Sequence, residues 1–482
     1  MSNFKVLVIN PPSRYTKNVV RDVIYGCWCK GKRIGGGTVP PFFLISIATV
    51  LQKAGFDVTF LEAMAEQIPL NQIDVSPYKA VVTSTSTMSF GEDSYVLEYF
   101  KKQNPEILSV VYGSHTTFMP KAAVQRRSVD VAVRREPEYT VRDVLRAKRD
   151  GLDWRKTPGI AYLDPETGPV VNDRAEYLSV DDLPYLNTEF LPKDVHYFNP
   201  LVMRMPYMTL ITSRGCPAVC SFCTAPFLYG TKTRFQSADR VLGEMEHLLS
   251  KGYREIYFRD ETFFVDKDRD IQICEGIIKN KWDVVWICNT RVNEVSKELL
   301  KLAKEAGCHY IKFGVESGVQ EILDNIHKGI TVEETRQAFK WMNEVEIDSH
   351  AHTMLGSPGE TLDTISTTIN FITEIEPTTA TFGVCTPYPG TPMFKMVEKR
   401  FPEIGDGTAS DFSVLHTEGL YNQYYTSVDS KILETSIRRA YRSFYARPKY
   451  FVKTLKRVSN PEDFRRFTLA GAQVLDFAFR GE

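Results

Sequence analysis

Three cysteines lie close together near the middle of the chain, at Cys216, Cys220 and Cys223. Thiolates separated by three and then by two residues can bind one corner of a cubane iron–sulfur cluster. A 4Fe–4S cluster normally takes four thiolates, so three local ligands leave one iron open to a small molecule. Gly215 and Pro217 favour the tight loop that such a site needs. The spacing therefore predicts a cluster that takes part in chemistry as well as storing electrons.

Other uses of clustered cysteines fit this loop less well. A disulfide is disfavoured because nothing marks the chain as secreted. Structural zinc takes four Cys or His ligands, and no fourth ligand follows Cys223 closely. Buried thiols with a purely structural role are the alternative interpretation.

The length, net charge and apolar pattern of the chain limit the class of protein to which it can belong. With 482 residues it is too long for one ordinary core, which predicts two or three domains. A net charge of −1 gives no overall field that would attract nucleic acid. No apolar run is long enough to predict a membrane span. The amino-terminal residues have the pattern of a strand and not of a signal peptide, so we expect a reducing, cytoplasmic location and, for an exposed cluster, sensitivity to oxygen.

Residues 1–150 alternate strand and helix patterns, which predicts a doubly wound, Rossmann-like α/β domain. The expected strands are Val6–Ile9, Val58–Leu61, Ala80–Thr83, Ser109–Tyr112 and Val129–Val133. Ligands of such domains bind at the carboxyl ends of the strands. Small and polar residues stand there, although ordinary turns favour the same residue types.

The rest of the chain divides into three parts. Residues 151–205 contain several prolines and are predicted to be an irregular connector. Residues 206–395 hold six strand–helix units, which predict a partial (β/α)6 barrel with the cysteine loop after its first strand. Residues 396–482 are expected to be mostly helical, with a helical, aromatic stretch at 431–459. This basic region either packs on the barrel, which we favour, or lies on a membrane surface or over a hydrophobic substrate.

Polar residues follow successive strands of the predicted barrel, where barrel enzymes bind their ligands. Each has a structural alternative, such as capping a helix or forming an internal ion pair. A carboxylate at a barrel mouth is nevertheless costly unless it is used or paired. The candidates are Asp260, Glu261, Arg291, Glu316, Ser317 and Leu355.

The motif Cys-x3-Cys-x-Phe-Cys, with Phe222 as its aromatic residue, resembles the signature of the radical S-adenosylmethionine (SAM) superfamily. In that superfamily the open iron chelates SAM, and reductive cleavage of SAM gives a 5′-deoxyadenosyl radical. The resemblance implies a 4Fe–4S cluster on the three cysteines. It also implies SAM binding by Phe222, Asp260, Glu261, Arg291, Glu316, Ser317 and Leu355.

An α/β domain in front of such a barrel resembles the cobalamin-binding subgroup, which includes the oxygen-independent chlorophyll cyclase and the hopanoid and bacteriochlorophyll methylases. The resemblance covers residues 4–395 and implies that the first domain binds cobalamin. No Asp-x-His-x-x-Gly motif is present, which agrees with a cobalt that takes no histidine ligand from the domain. The implied cobalamin-binding residues are Asn10, Pro11, Pro12, Ser84, Thr85, Thr87, Gly113, His115, Thr116 and Glu136.

Several positions leave alternatives open. Arg135 and Pro137 stand where the family has glycine, which argues against close approach of this backbone to a ligand. His115 either touches the ligand or stabilises a turn. Cys27 and Cys29 are expected to be inert thiols, with a fourth sulfur near the cluster as the alternative.

The resemblance implies a cobalamin-dependent radical SAM C-methyltransferase acting on an unactivated carbon. The alternative is a radical cyclase or oxidative rearrangement enzyme that transfers no methyl group, with cobalamin absent or non-methylating. We expect a small-molecule substrate and an external electron donor such as flavodoxin or ferredoxin. The basic aromatic tail favours a large hydrophobic substrate, such as a tetrapyrrole or polycyclic lipid. A sensor without turnover and an RNA modifier fit less well, because no signalling or RNA-binding module is visible. The sequence names no catalytic side chain.

Overall fold

The structure, a computed structural model, describes residues 4–14, 21, 39–195, 197, 199–408, 425–455, 458 and 461–480. The predictions for Cys27 and Cys29 lie outside these residues. Among the residues that are described, no helix is both long enough and apolar enough to cross a membrane.

The first domain is built on a sheet whose first five strands are parallel, in the order β2-β1-β3-β4-β5. The strands are β1 (Lys5–Ile9), β2 (Asp57–Leu61), β3 (Ala80–Thr85), β4 (Leu108–Gly113) and β5 (Val131–Val133). Its helices are α1 (Phe42–Lys53), α2 (Phe90–Gln103), α3 (Ser114–Phe118), α4 (Pro120–Gln125) and α5 (Pro137–Arg149). The central strands are buried along their whole length, as expected when helices cover both faces. The predicted doubly wound domain is confirmed.

This sheet is larger than the sequence indicated. Strands β6 (Ile160–Asp164) and β7 (Gly168–Val171) form an antiparallel hairpin that extends it to seven strands. The prediction of an irregular connector was therefore wrong for this hairpin. Its Pro169 lies in the outermost strand, where a missing N–H costs no ladder hydrogen bond.

The second domain is a six-stranded, all-parallel sheet whose strands follow chain order from β8 to β15. Two short strands, β9 and β10, pair antiparallel beside the cysteine loop. The strands are β8 (Tyr207–Leu210), β9 (Ser213–Arg214), β10 (Arg234–Phe235), β11 (Glu255–Phe258), β12 (Val285–Thr290), β13 (Cys308–Glu316), β14 (Asp348–Leu355) and β15 (Thr379–Val384). The outer helices are α6 (Ala225–Tyr229), α7 (Ala238–Ser250), α8 (Lys267–Lys279), α9 (Lys297–Glu305), α10 (Gln320–Asn325), α11 (Val332–Val345), α12 (Leu362–Glu374) and α13 (Pro392–Arg400). The six predicted βα units are confirmed.

Alternate residues of these strands have different surroundings. One set, which includes Ile311, Phe313 and Ala351, packs into the main apolar core with the surrounding helices. The other set faces inward, where Tyr257 and Tyr310 belong to a separate small apolar cluster at the amino ends of the strands. The carboxyl ends therefore form the open mouth of the barrel.

The carboxyl-terminal region is helical, with α14 (Ser430–Tyr445), α15 (Pro448–Leu455) and α16 (Pro461–Arg480). The single helical stretch expected from residue 431 is broken before Pro448, because proline disfavours helix in the residue before it. Helix α14 packs on the edge strand β15, and the Tyr445 hydroxyl both accepts from Ala380 N and donates to Ala380 O. Packing on the barrel is confirmed for this helix.

Candidate functional site

The three cysteines lie in the loop after β8, at the mouth of the barrel. Gly215 has φ +108, and a Cβ there would stand 2.7 Å from Lys232 O, so only glycine fits. The Cys216 and Cys220 side chains are buried, and all three thiols are free. The described residues contain no group of three Cys, His, Asp or Glu side chains that could hold a single metal ion. A cubane cluster spreads its ligands over separate irons, so its sulfurs need not converge on one point.

The electrostatics of this loop fit a cluster. Burial, with the neighbouring Cys220 and Cys216 thiols, raises the pKa of Cys223 to about 12. Burial also raises the pKa of Cys216. Metal ligation requires thiolates, and three thiolates this close need a compensating cation. The Arg291 guanidinium, 3.7 Å from Cys220 Sγ, supplies one positive charge, and the iron core of a cluster would supply the rest.

The two carboxylates that follow β11 have different environments. Asp260 is fully buried and accepts hydrogen bonds from Thr212 N, Thr212 Oγ1 and Ser213 Oγ at 2.6–2.8 Å. These bonds fix the chain just ahead of the cysteine loop. Glu261 lies close enough to Cys216 to raise that thiol's pKa. Of the two, Glu261 is therefore the better candidate for holding the SAM amino group.

Glu316 is paired at the barrel mouth with a residue that the sequence did not single out. Its carboxylate accepts a 2.7 Å bond from Lys328 Nζ, and both side chains are almost fully buried. Glu316 also has φ +64, a conformation that a non-glycine residue adopts at a cost of about 1–3 kcal/mol. Lys328 carries no sequence signal, because it stands in an ordinary turn after α10. The pair offers both an acceptor and a donor to a polar ligand.

The remaining SAM candidates differ in what they contact. Arg291 donates to Lys328 O and Gly329 O as well as approaching Cys220. Ser317 Oγ bonds Thr368 Oγ1 at 3.0 Å and is turned toward α12, which favours a structural role. Leu355 is buried, and its carbonyl accepts from Cys385 N. Phe222 packs beside Lys328, whose Nζ is 5.9 Å from the ring centroid.

At the carboxyl edge of the first sheet, several cobalamin candidates are bound to other protein groups. Asn10 donates to Glu62 Oε1 at 2.7 Å, and its Oδ1 accepts from Arg21. Thr85 donates to Asp93 Oδ2, which also pairs with Arg21. Arg21 also donates to Pro11 O, and Pro12 follows in the same segment. This network shapes the edge of the domain but leaves Asn10 and Thr85 few free hydrogen-bonding groups.

Gly113 and its neighbours form a tight corner at the end of β4. Gly113 has φ +140, and a Cβ there would stand 1.8 Å from Thr85 O. Thr116 Oγ1 donates to Val133 O at 2.7 Å. The buried Ser84 lies on the neighbouring strand β3. These residues hold adjacent strand ends together.

His115 has a role that neither interpretation of the sequence expected. Its ring is fully buried in α3 and stacks on Phe90, with centroids 4.1 Å apart. Its Nδ1 is 3.3 Å from Thr87 Oγ1, and its Nε2 is 3.5 Å from Asp406 Oδ2. Burial lowers the pKa of His115, although Asp406 opposes this shift. The histidine therefore links the first domain to the segment after the barrel.

Arg135 and Pro137 are compatible with the turn that glycine forms in the family. Arg135 keeps the left-handed backbone, with φ +66, and its Nη1 donates to Tyr177 OH at 2.6 Å. Pro137 occupies the first turn of α5, where its fixed φ suits the helix. The backbone of this turn therefore accommodates both residues.

Glu136 is held by charges from the second domain. It pairs with Arg234, and Glu138 two residues later pairs with Arg214. Arg214 is fully buried one residue before Gly215. Glu136 was predicted to bind cobalamin. Its ion pairs favour a structural role instead, in which it joins the turn after β5 to the cysteine loop.

A pocket lies where the two domains meet. Its walls come from the carboxyl ends of the first sheet, from the residue after Cys223 and from the loop after β15. The lining residues are Ser86, Thr87, Met88, Ser114, Thr224, Tyr388 and Pro389. Polar side chains of the first domain thus face the cysteine loop across a gap, as a ligand held between the domains requires.

Comparison with known proteins agrees with this arrangement. Residues 35–145 match the B12 binding domain and residues 210–372 match the radical SAM superfamily. The chain is 29% identical over 474 residues to an uncharacterized methyltransferase of Pyrococcus horikoshii, covering 94% of this chain and 95% of the relative. It is 27% identical to the anaerobic magnesium-protoporphyrin IX monomethyl ester cyclase of Rubrivivax gelatinosus, over 77% of this chain and 67% of the relative.

A solved structure with the same fold is the radical SAM methyltransferase TsrM of Kitasatospora setae. Its TM-score is 0.67 at 19% identity, with 83% of this chain and 77% of that chain covered. The radical SAM domain implies a 4Fe–4S cluster and SAM, and the B12-binding domain implies cobalamin. The three free cysteines of the loop fit the cluster, and the pocket is lined by residues from both domains. The chain therefore carries a B12-binding domain in front of a radical SAM domain, the combination expected of the cobalamin-binding radical SAM enzymes that it resembles.

Proposed function

We propose that the protein is a cobalamin-dependent radical SAM methyltransferase that methylates an unactivated carbon of a small molecule. The observation that carries the proposal is the pocket between the domains. Ser86, Thr87 and Ser114 come from the B12-binding domain, and Thr224 directly follows Cys223. A methyl carrier and a radical initiator must both reach one substrate, and this shared pocket provides the meeting point.

In this proposal Cys216, Cys220 and Cys223 hold the cluster. Glu261 and Arg291 suit the amino and carboxylate groups of SAM, because a guanidinium can bind a carboxylate with two parallel hydrogen bonds. When bound, the cofactors supply the electron, the radical and the methyl group, while the protein orients them and excludes water. The buried walls of the mouth, including the Glu316–Lys328 pair, serve that exclusion.

The relatives support methyl transfer, and one of them supports a second candidate function. The relative matched over 94% of this chain is called a methyltransferase. The Rubrivivax cyclase closes a ring, as its name states, and it matches 77% of this chain. A radical cyclase or rearrangement enzyme that transfers no methyl group is therefore the second candidate function.

The cluster also bears on the electron donor and on the cellular compartment that we propose. An external donor such as flavodoxin or ferredoxin would reduce it. The seven cysteines in the described part of the chain are all free thiols, which supports a reducing compartment, and we place the protein in the cytoplasm. We further expect no nucleic acid among its partners, given the net charge of −1.

The test is cofactor loading followed by product analysis. The protein is purified without oxygen, supplied with iron, sulfide and hydroxocobalamin, and analysed for metals. We expect about four irons and one cobalt per chain. Incubation with SAM and a reductant should then release methionine and 5′-deoxyadenosine, and candidate substrates should gain the mass of one CH2 group. Iron without cobalt, or a product without added mass, would favour the second candidate function.

A further inference from the structure

A belt of polar side chains crosses the inner face of the barrel, below the proposed SAM site. Asn289, Lys312, His350 and Thr379 stand opposite one another on four neighbouring strands. His352 and Thr381 form the next inward level toward the carboxyl ends. We call these six residues the polar belt. It lies on the inward face, since Lys312 on β13 reaches past β12 to bond Tyr257 on β11.

Lys312 is the charged member of the belt and has hydrogen-bonding capacity to spare. Its half-buried ammonium group donates to Tyr257 OH at 3.0 Å. Tyr257 in turn donates to Asn289 Oδ1 at 3.1 Å, which fixes the phenol as an acceptor for Lys312. An ammonium has three donors. Within the described residues no carboxylate pairs with Lys312, so two donors are left for a ligand.

The histidines add neutral hydrogen-bonding groups. His350 Nε2 and His352 Nδ1 each lie 3.0 Å from Thr381 Oγ1. Burial lowers the pKa of both histidines well below the ordinary value, and the Lys312 charge adds to the shift. Both rings are therefore neutral near pH 7. In the described part of the chain the half-buried His352 has no partner for Nε2, so this atom can serve a ligand.

Two glycines, Gly314 and Gly383, lie on the inner face between the belt and the proposed SAM site. A Cβ at Gly314 would stand 2.5 Å from Glu316 Oε1, so the Glu316–Lys328 pair lies over the same inward face. A Cβ at Gly383 would meet only Thr353 O, at 3.9 Å. Gly314 stands two residues after Lys312, roughly 7 Å along the strand, so the Glu316–Lys328 pair lies close above the belt on this strand. Gly383 leaves the β15 side of the inner face open, and a substrate would reach from the mouth to the belt along that side.

We propose that the polar belt binds an anionic group of the substrate, a carboxylate or a phosphate, through Lys312 and His352. Tyr257, Asn289 and His350 are positioning residues that hold these two side chains. The inference rests on the proposed function, because it assigns the substrate of that reaction to the barrel interior. It narrows the substrate class to molecules that carry an anion some distance from the reacting carbon.

The test uses small anions as probes. The cluster-loaded, full-length protein is heated in increasing sodium acetate, sodium phosphate or acetamide, with ionic strength held constant by sodium chloride. A ligand that binds the folded state raises the unfolding temperature in a saturable way. We expect this for at least one anion and not for the neutral acetamide. The apparent Kd should be about tenfold weaker in Lys312→Met, the loss expected when one charge-assisted contact is removed.

Two further variants make the result specific. Lys301 is an exposed lysine on the outer helix α9, and Lys301→Met should bind the anions with the same apparent Kd as the unmodified protein. His352→Gln should weaken binding several-fold and gives a second measure if Lys312→Met does not fold. If acetate alone stabilises the protein, the belt binds a carboxylate, and if phosphate alone does, it binds a phosphate. If both do, the belt binds either anionic group.

The inference is overturned if neither anion stabilises the protein, or if Lys312→Met and His352→Gln bind both as well as the unmodified protein does. SAM cleavage by the unmodified protein is measured in parallel. Its absence would count against the proposed function, whereas the anion titration bears on the belt alone.

Discussion

At the scale of single residues, adjacent and chemically alike side chains have separate tasks. Asp260 turns inward and bonds the backbone and hydroxyl of Thr212, while Glu261 lies near Cys216. Burial raises the pKa of Asp260, and the nearby Arg269 charge opposes that shift. Asp260 therefore acts on the shape of the cysteine loop, and we expect Glu261 to contact what the loop binds.

Replacing these two carboxylates should separate the roles. Asp260→Asn places an amide where Thr212 N needs an acceptor, so we expect a loss of about 1–3 kcal/mol in unfolding free energy and less iron retained. Glu261→Gln should keep its iron but bind SAM about tenfold more weakly. Urea unfolding, iron analysis and equilibrium dialysis of SAM distinguish the two. Equal effects of the variants on iron content would contradict the assignment.

The cysteines give a second prediction at this scale. Alanine at Cys216, Cys220 or Cys223 should abolish iron loading and SAM cleavage, because the cluster then lacks one of its three protein ligands. Cys274→Ala is the matched control, since Cys274 is a buried thiol on α8 outside the loop. Retained SAM cleavage in the triple alanine variant would refute the cluster assignment.

At the scale of elements, buried ion pairs connect the B12-binding domain to the cysteine loop. Helix α5 supplies Glu138, and the segment before the loop supplies Arg214; both side chains are almost fully buried. Burial alone would lower the pKa of Arg214, but the Glu138 charge outweighs it and raises this pKa. The pair fixes the distance between the B12-binding sheet and the cysteines, on which the proposed reaction depends.

Breaking this pair should destabilise the protein strongly. Arg214→Met leaves Glu138 buried without its main partner, so we expect a loss of about 3–5 kcal/mol in unfolding free energy. The double variant Arg214→Met with Glu138→Gln should recover part of that loss, because no uncompensated charge is left. Arg142→Met, which removes a partly exposed pair with Asp143, should cost no more than about 1 kcal/mol. A small loss for Arg214→Met would show that the domains do not depend on this contact.

At the scale of the whole molecule, several carboxyl groups are buried in their neutral form. Burial raises the pKa of Glu62 to about 8, although the Asn10 hydrogen bond opposes it. Burial likewise raises the pKa of Asp270 to about 8 and that of Glu360 to about 7. In the unfolded chain these groups ionise at ordinary pKa values. These carboxyl groups therefore bind more protons in the folded state than in the unfolded chain between pH 4.5 and about 7 or 8.

This difference predicts a loss of stability as the pH rises. Three buried histidines, His115, His350 and His352, have lowered pKa values and oppose this trend below pH 6.5, where only the unfolded chain protonates them. Above pH 6.5 the carboxyl groups dominate, so the unfolding free energy should fall between pH 6.5 and 8. Each such group contributes a slope of up to about 1.4 kcal/mol per pH unit. Glu62→Gln should remove one contribution and flatten the curve, while the exposed Glu98→Gln should not. Urea unfolding at a series of pH values measures this, and parallel curves for Glu62→Gln and the unmodified protein would contradict it.

Much of the fold could be predicted from local patterns. The predicted strands Val6–Ile9, Val58–Leu61 and Ala80–Thr83 form as Lys5–Ile9, Asp57–Leu61 and Ala80–Thr85, because short apolar runs mark them. The hairpin of β6 and β7 was missed because it is partly exposed and contains a proline. Local patterns do not show which strands lie at an edge, where such residues are tolerated.

The sequence by itself determined the cysteine loop, the two α/β domains and the strand ends at which polar residues gather, since each depends on spacing along a few neighbouring residues. Only the tertiary structure decided which polar side chains meet. Arg214 pairs with Glu138, which lies 76 positions earlier in the chain. His115 lies beside Asp406 of the segment after the barrel, and Lys328 pairs with Glu316. Such pairs form because folding brings distant charges into the same buried space, where a charge is stable only with a partner. A sequence shows which residues can pair, and packing selects the ones that do.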